Sequence, residues 1–296
     1  MRENLATAAS QARREAPDLA DRLGEHVVAA LIEEVTLAPK PGLVDIRSRG
    51  AHHDLDWNLM CTSAYVLGPT FAEMARAGFE TSPLLTLRER IGAIGRVGEV
   101  RMLDATHGVN THRGAIWALG LLVTAAAREP QDLSPAGIAS RAGSIARLPD
   151  RLAPALTGHK GEQARLDYNV GGARGQAQAG FPHVVDVALP ELSRSRLRGD
   201  TETAARLNAL LAVMASLDDT CVLARGGRSA LARTQDGARR VLEHGGAAAL
   251  AGRRHLKTLD RCLVELHVSP GGAADLLAAA LFVDRLQHET CQTMNV

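Results

Sequence analysis

The chain has 296 residues, 46 % of them hydrophobic but only 3 % aromatic, with a formal net charge of +1. That balance excludes bulk electrostatic attraction to nucleic acid, and two Tyr, two Trp and four Phe leave few rings for bases to stack on. A core that must be built from Ala, Leu, Val and Ile favours closely packed helices over a sandwich or barrel, and the length can bury it in one domain.

The N-terminal stretch 1–17 alternates charge with alanine, lacks the apolar region of a signal peptide, and reads as a flexible tail. From Asp18 to Leu37 a stripe of Leu19, Leu23, Val27, Ala30, Leu31 and Val35 predicts a helix closed by Glu33 and Glu34. Glu33 reads as solvated. The connection from Glu34 to Asp56 carries Lys40 between Pro39 and Pro41, then Gly42, Asp45 and the run Gly50 to Asp54, so it is an ordered loop rather than a helix. Such loops carry chemistry when a rigid scaffold aims them, and are otherwise solvated connections.

Asp56 is placed to cap a helix running to about Ala77 through Leu59, Met60, Tyr65 and Phe71. Ser82-Pro83 opens another, with Leu84, Leu87, Ile91, Ile94 and Val97 on its core side. Both read as scaffold. The next loop puts Asn110, His112 and Arg113 at the mouth of a helix that is apolar on nearly every side, with Thr111 as its cap. A buried helix N-terminus presents free N–H groups, so this is a candidate anion site; a hydrogen-bonded structural histidine is the plainer alternative. Its most apolar part, Ala115 to Ala127, is shorter than the ~20 residues of a membrane span.

Ser134-Pro135 starts an ordinary helix, and Gly171-Gly172 before Arg174 permits either close approach to a ligand or a tight turn. A helix through Leu207, Leu210, Leu211 and Met214 is expected to end in Asp218-Asp219-Thr220, shortly before Arg225-Gly226-Gly227. Adjacent carboxylates at a helix end oppose the dipole unless a cation such as magnesium sits between them, or unless both are solvated caps. Finally, Ser269-Pro270-Gly271-Gly272 opens a largely apolar helix with Asp275 one turn in. Cys61, Cys221, Cys262 and Cys291 follow no C-x-x-C or zinc spacing and read as reduced thiols of a cytoplasmic protein. There is no phosphate-loop or dinucleotide fingerprint and no repeat, so the expectation is one all-α domain spanning 1–296 with loops carrying the site.

EVTLAPKPGLVD (Glu34 to Asp45), GAHHD (Gly50 to Asp54), VNTHRGAIWALGLL (Val109 to Leu122), GARGQAQAGFP (Gly172 to Pro182), Asp219-Thr220 with Arg225-Gly226-Gly227, and SPGGAADLLAAALF (Ser269 to Phe282) occur in that order. Together they resemble the triphosphoribosyl-dephospho-CoA synthase family, and the run from Val109 to Ala127, with the flanking stretch Gly50 to Met60, is similar to its malonate decarboxylase branch rather than the citrate lyase branch. His107 departs from the pattern, which has glycine there, as do Cys221 and Gly175-Gln176.

The resemblance implies transfer of the triphosphoribosyl group of ATP to the 2'-hydroxyl of 3'-dephospho-CoA, with adenine released and the product passed to a carrier-protein transferase. Glycosyl transfer through an oxocarbenium-like state needs a carboxylate near the ribose and an aligned acceptor. The candidate catalytic residues are His52, His112, Asp45, Asp54 and Asp219, with either histidine as the base. Lys40, Asn110, Arg113, Arg174, Arg225, Gly271 and Gly272 are the candidates for binding phosphates and ribose. Glu34, Asp218, Asp219 and Asp275 are candidates to hold Mg2+. A homodimer is left open as the assembly. The competing readings are a magnesium-dependent ADP-ribosyl or nucleotide glycohydrolase, suggested by Asp218-Asp219-Thr220, and a non-catalytic helical scaffold.

Overall fold

Apolar residues at every third or fourth position give each segment one face to bury, and twelve α-helices answer that requirement among the described residues. The computed structural model describes residues 2–293 except 82 and 155–157, with side chains described from 19 to 289. The helices are α1 (Arg2–Thr36), α2 (Trp57–Glu80), α3 (Leu84–Ala105), α4 (Arg113–Arg128), α5 (Pro135–Ala146) and α6 (Lys160–Tyr168). They continue with α7 (Gly172–Gln178), α8 (Leu189–Leu197), α9 (Glu202–Met214), α10 (Thr220–Glu243), α11 (Leu250–Glu265) and α12 (Gly271–Thr293), and a π-helical segment, His183–Ala188, leads into α8. The fold is all-α as expected. No strand occurs among the described residues, only an isolated bridge between Asp45 and Ser48.

The helix expected to be apolar all round is the centre: α4 buries every residue from Ala118 to Ala127 and packs against α1, α2, α3, α5, α7 and α12. One contiguous core joins it to the rest, dominated by Ala, Leu and Val as the composition requires. No helix among the described residues is long and apolar enough to cross a membrane.

Local expectations hold unevenly. Asp56 does cap α2, its carboxylate accepting from Leu59 N at 3.0 Å, but Tyr65 is 65 % exposed and lies off the core face. Val97 is likewise 49 % exposed, because the buried stripe of α3 follows Leu87, Ile91 and Met102. The expected cap at Ser82 lies outside the described residues, and residues 2–17, expected as a tail, continue the helical backbone of α1. Glu33 is not a solvated end: it pairs with Arg285 and, at 3.1 Å, with Arg206, tying α1 to α9 and α12. His107, where the family pattern has glycine, adopts a left-handed φ of 54°.

Candidate active site

The loop after α1 folds inward because its polar groups are satisfied from within. Asp45 accepts from the backbone N of Lys40 (3.1 Å), Arg47 (2.7 Å) and Ser48 (2.9 Å), so its carboxylate knits the loop together. Gly42 N donates to Asp260 on α11 at 3.0 Å, pinning the turn from outside. The fold thereby holds the Lys40 side chain, 1 % exposed, against Glu34 in a buried ion pair. Burial pushes the Glu34 carboxyl above its ordinary range, with Lys40 opposing the shift and Asp45 adding to it.

Asp219 is not at the end of the preceding helix. α9 stops at Met214, and Asp219 is the N-cap of α10, accepting from Cys221 N at 2.8 Å and Val222 N at 3.4 Å. Its other oxygen accepts from Ala273 N at 2.9 Å, in the first turn of α12. The Gly272 amide also hydrogen-bonds it. One carboxylate therefore caps two helices, which is why Ser269 caps nothing and its Oγ is buried without a partner. A Cβ on Gly272 would lie 3.1 Å from the carboxylate, so a side chain there would crowd the cap. Burial raises the Asp219 carboxyl even so, the amides opposing it. Asp218 is exposed and interacts with His183, and does not join this cluster.

Asp275 meets the N-terminus of α4: a Cβ on Gly114 would stand 2.0 Å from its Oδ2, so only glycine lets the two helices approach. Its carboxyl is raised well above the usual range by burial first, then by Glu34 and Asp219. Cys221 lies between the acids and is held as a neutral thiol by burial and by Asp219 and Asp275. The α4 terminus read as an anion site thus faces a carboxylate of the protein itself.

At the same terminus His112 is buried, with Nδ1 2.8 Å from Ser63 Oγ, which is 2.6 Å from Thr111 Oγ1. Its Nε2 is buried and has no partner. Burial and the nearby Lys40 charge lower its pKa to about 4, so the ring is neutral at physiological pH. Thr111, expected as cap, is engaged with Ser63; Asn110 Oδ1 accepts from Arg113 N instead, at 3.2 Å.

Two of the segments that build this cluster, the loop and α10, also line an open cleft of about 800 Å³. The loop contributes Ala51 to Asp54, α10 contributes Leu223 to Arg225, and α6 supplies Lys160, Gln163 and Asp167. His52 Nδ1 stands 3.5 Å from Asp54 and 3.4 Å from an Arg225 nitrogen. Burial and Arg225 lower its pKa against the pull of Asp54.

The sequence-selected residues therefore divide. Glu34, Lys40, His112, Asp219 and Asp275 converge inside, and His52, Asp54 and Arg225 share the adjoining cleft. Arg113 turns away to an ion pair with Glu99, and exposed Arg174 and Asn110 lie outside the cluster. Gly271 N donates to Ser269 O and the Gly272 amide to Asp219, so neither is free as expected for a phosphate. Ser63 was hidden in a helix that reads as scaffold. Its signal is a small polar residue on the largely apolar, buried face of α2, a trait it shares with Thr70.

The chain matches the CitG family, described as ATP:dephospho-CoA triphosphoribosyl transferase, over residues 20–294. A protein of Azotobacter vinelandii named probable 2-(5''-triphosphoribosyl)-3'-dephosphocoenzyme-A synthase is 57 % identical over 92 % of this chain and 93 % of its own length. Proteins of the same name from Pseudomonas fluorescens (strain Pf-5) and Pseudomonas savastanoi are 56 % and 53 % identical, over 92 % and 94 % of this chain and 93 % and 96 % of theirs. No solved structure matches.

Proposed function

Since the chain belongs to the ATP:dephospho-CoA triphosphoribosyl transferase family, a family of transferases forming 2'-(5''-triphosphoribosyl)-3'-dephospho-CoA, we propose that the transfer occurs at the Glu34–Lys40–His112–Asp219–Asp275 cluster. The observation that carries this is the gathering of three buried carboxylates, two of which raise the third, with one lysine and a buried, unpartnered imidazole nitrogen beside an open cleft.

Breaking the C–N bond of ATP builds positive charge on the ribose, which the Asp275 carboxylate is placed to stabilise in a water-poor setting. Lys40, held ready by Glu34, meets the triphosphate. His112 faces the acceptor hydroxyl with Nε2 while Ser63 fixes the ring through Nδ1. In the tautomer that donates from Nδ1 to Ser63, Nε2 is a free acceptor for the hydroxyl proton. Arrival of a polyanion beside Lys40 cancels the charge that depresses His112 and makes it a stronger base once substrates are bound. His52 and Arg225 lie on the cleft wall, suited to docking the acceptor. Asp219 positions α10 and α12 rather than touching substrate.

The donor set also fits magnesium. No group of three metal-binding side chains is already assembled among the described residues, but magnesium is commonly held by one or two carboxylates plus substrate phosphates. Asp275 and Glu34 would hold it with the triphosphate, whose charge it would neutralise. The branch we favour is malonate decarboxylase, supported by the run Val109 to Ala127 with the flanking stretch Gly50 to Met60.

The deciding experiment measures free adenine from ATP with and without 3'-dephospho-CoA. Release only with the acceptor is expected; equal release without it would make water the acceptor and the chain a glycohydrolase.

A further inference from the structure

Arginine side chains are gathered away from the acid cluster, around Asp150 and Trp117. Arg88 on α3 is 8 % exposed, and its guanidinium lies 5.1 Å from the ring centroid of Trp117 on α4. Asp150, its side chain 3 % exposed, accepts from Arg88 at 3.4 Å and from Arg96 at 2.8 Å. Arg174 on α7 is close enough for its charge to act on Arg88. Trp117 fixes that approach by donating its indole N–H to Ala173 O at 3.2 Å. Glu89, the next acid on α3, is engaged with Arg151.

Two guanidinium groups thus share one carboxylate, and among the described residues no carboxylate pairs with the third, Arg174. Bringing two more arginines up to the buried Arg88 leaves its positive charge under-compensated unless an anion completes the set. A second, independent sign is that the buried Arg88 Nε has no hydrogen-bond partner. A purely structural network would satisfy that donor. Arg96 and Arg174 are also accessible enough to receive a ligand, the Arg96 side chain being 37 % exposed.

We propose that Arg88, Arg96 and Arg174, set around Trp117, form a phosphate-binding subsite that receives the phosphate chain of a nucleotide substrate. Two polyanionic substrates must be bound together, and the acid cluster offers only Lys40 against several carboxylates. The arginine set supplies the missing positive charge, with planar donors suited to phosphate oxygens. It lies one helical turn along α4 from Gly114, which packs on Asp275, so one helix spans both places. Only the identity of the nucleotide rests on the transferase reading; phosphate binding does not.

The test uses the full chain with Trp57→Phe, which leaves Trp117 as the sole indole. Titration with inorganic pyrophosphate and tripolyphosphate should change Trp117 fluorescence saturably. Arg96→Ala and Arg174→Ala should each weaken binding at least about ten-fold, with Arg174→Lys recovering part of it. Arg88 is left intact, because its removal would strand the buried Asp150. In steady-state assays the same variants should raise KM for ATP or for dephospho-CoA by about ten-fold with little change in kcat, and the substrate affected identifies the occupant. No fluorescence response in folded protein, or equal affinity in wild type and both alanine variants, overturns the subsite. Absence of adenine release by the wild type would overturn the transferase reading alone, since the polyphosphate titration decides the subsite without turnover.

Discussion

His112 is neutral because the fold leaves it no counter-charge: Ser63 occupies one nitrogen, the other is buried without a partner, and Lys40 repels a proton. A histidine whose pKa falls from 6.5 to about 4 on folding takes up a proton more readily when unfolded. Its contribution is therefore fully present above pH 6.5 and is lost as pH falls through the window down to about 4. The shift corresponds to about 3 kcal/mol. Urea denaturation at stepped pH should show His112→Gln with a shallower loss of stability between pH 7 and 4 than the wild type. Parallel slopes would mean that the ring is not held neutral. His112 was visible in the sequence as one of several polar residues before an apolar helix, whereas Ser63 was not. A serine within an amphipathic pattern gives no sign of which side chain it will meet across two helices.

Asp219 shows how an element boundary changes the meaning of a residue. Read as the end of the helix through Met214, it opposes a dipole and calls for a cation. As the N-cap of α10 and a partner of the first turn of α12, it favours both dipoles and satisfies amides in each. The sequence could not distinguish these because the connection from Ala215 to Asp218 is short and carries no proline or glycine to mark the break. The glycines at 271 and 272 were legible as positions that expose N–H groups, but what meets them is Cys221 at Gly271 and Asp219 at Gly272 rather than a phosphate. Replacing Asp219 with Ala removes two caps at once and leaves buried amides without acceptors, a loss of roughly 2–4 kcal/mol. Chemical denaturation should report that loss, and Asp219→Asn, which keeps an acceptor oxygen, should recover part of it. An unchanged midpoint for Asp219→Ala would show that the two helix starts do not depend on it.

At the scale of the molecule, the all-α class and the buried helix were readable because composition and periodicity act on every residue. The convergence of positions 34, 40, 112, 219 and 275 was not, since it depends on how α1, α4, α10 and α12 pack. That packing makes ligand binding a whole-molecule event: a nucleotide at the cluster contacts helices that all belong to one core. Ligand that binds only the folded state at one hundred times its Kd adds about 2.7 kcal/mol, which for a chain of this size raises Tm by about 4 °C. Calorimetry should show a single transition that moves up by that amount with ATP and magnesium. Asp275→Asn relieves the repulsion among Glu34, Asp219 and Asp275, so its unliganded Tm should equal or exceed that of the wild type. It should also lose most of the nucleotide-dependent rise, because the carboxylate that makes the empty protein less stable is the one the bound nucleotide and its metal require. A variant with normal unliganded stability that still shows the full rise would remove Asp275 from the site.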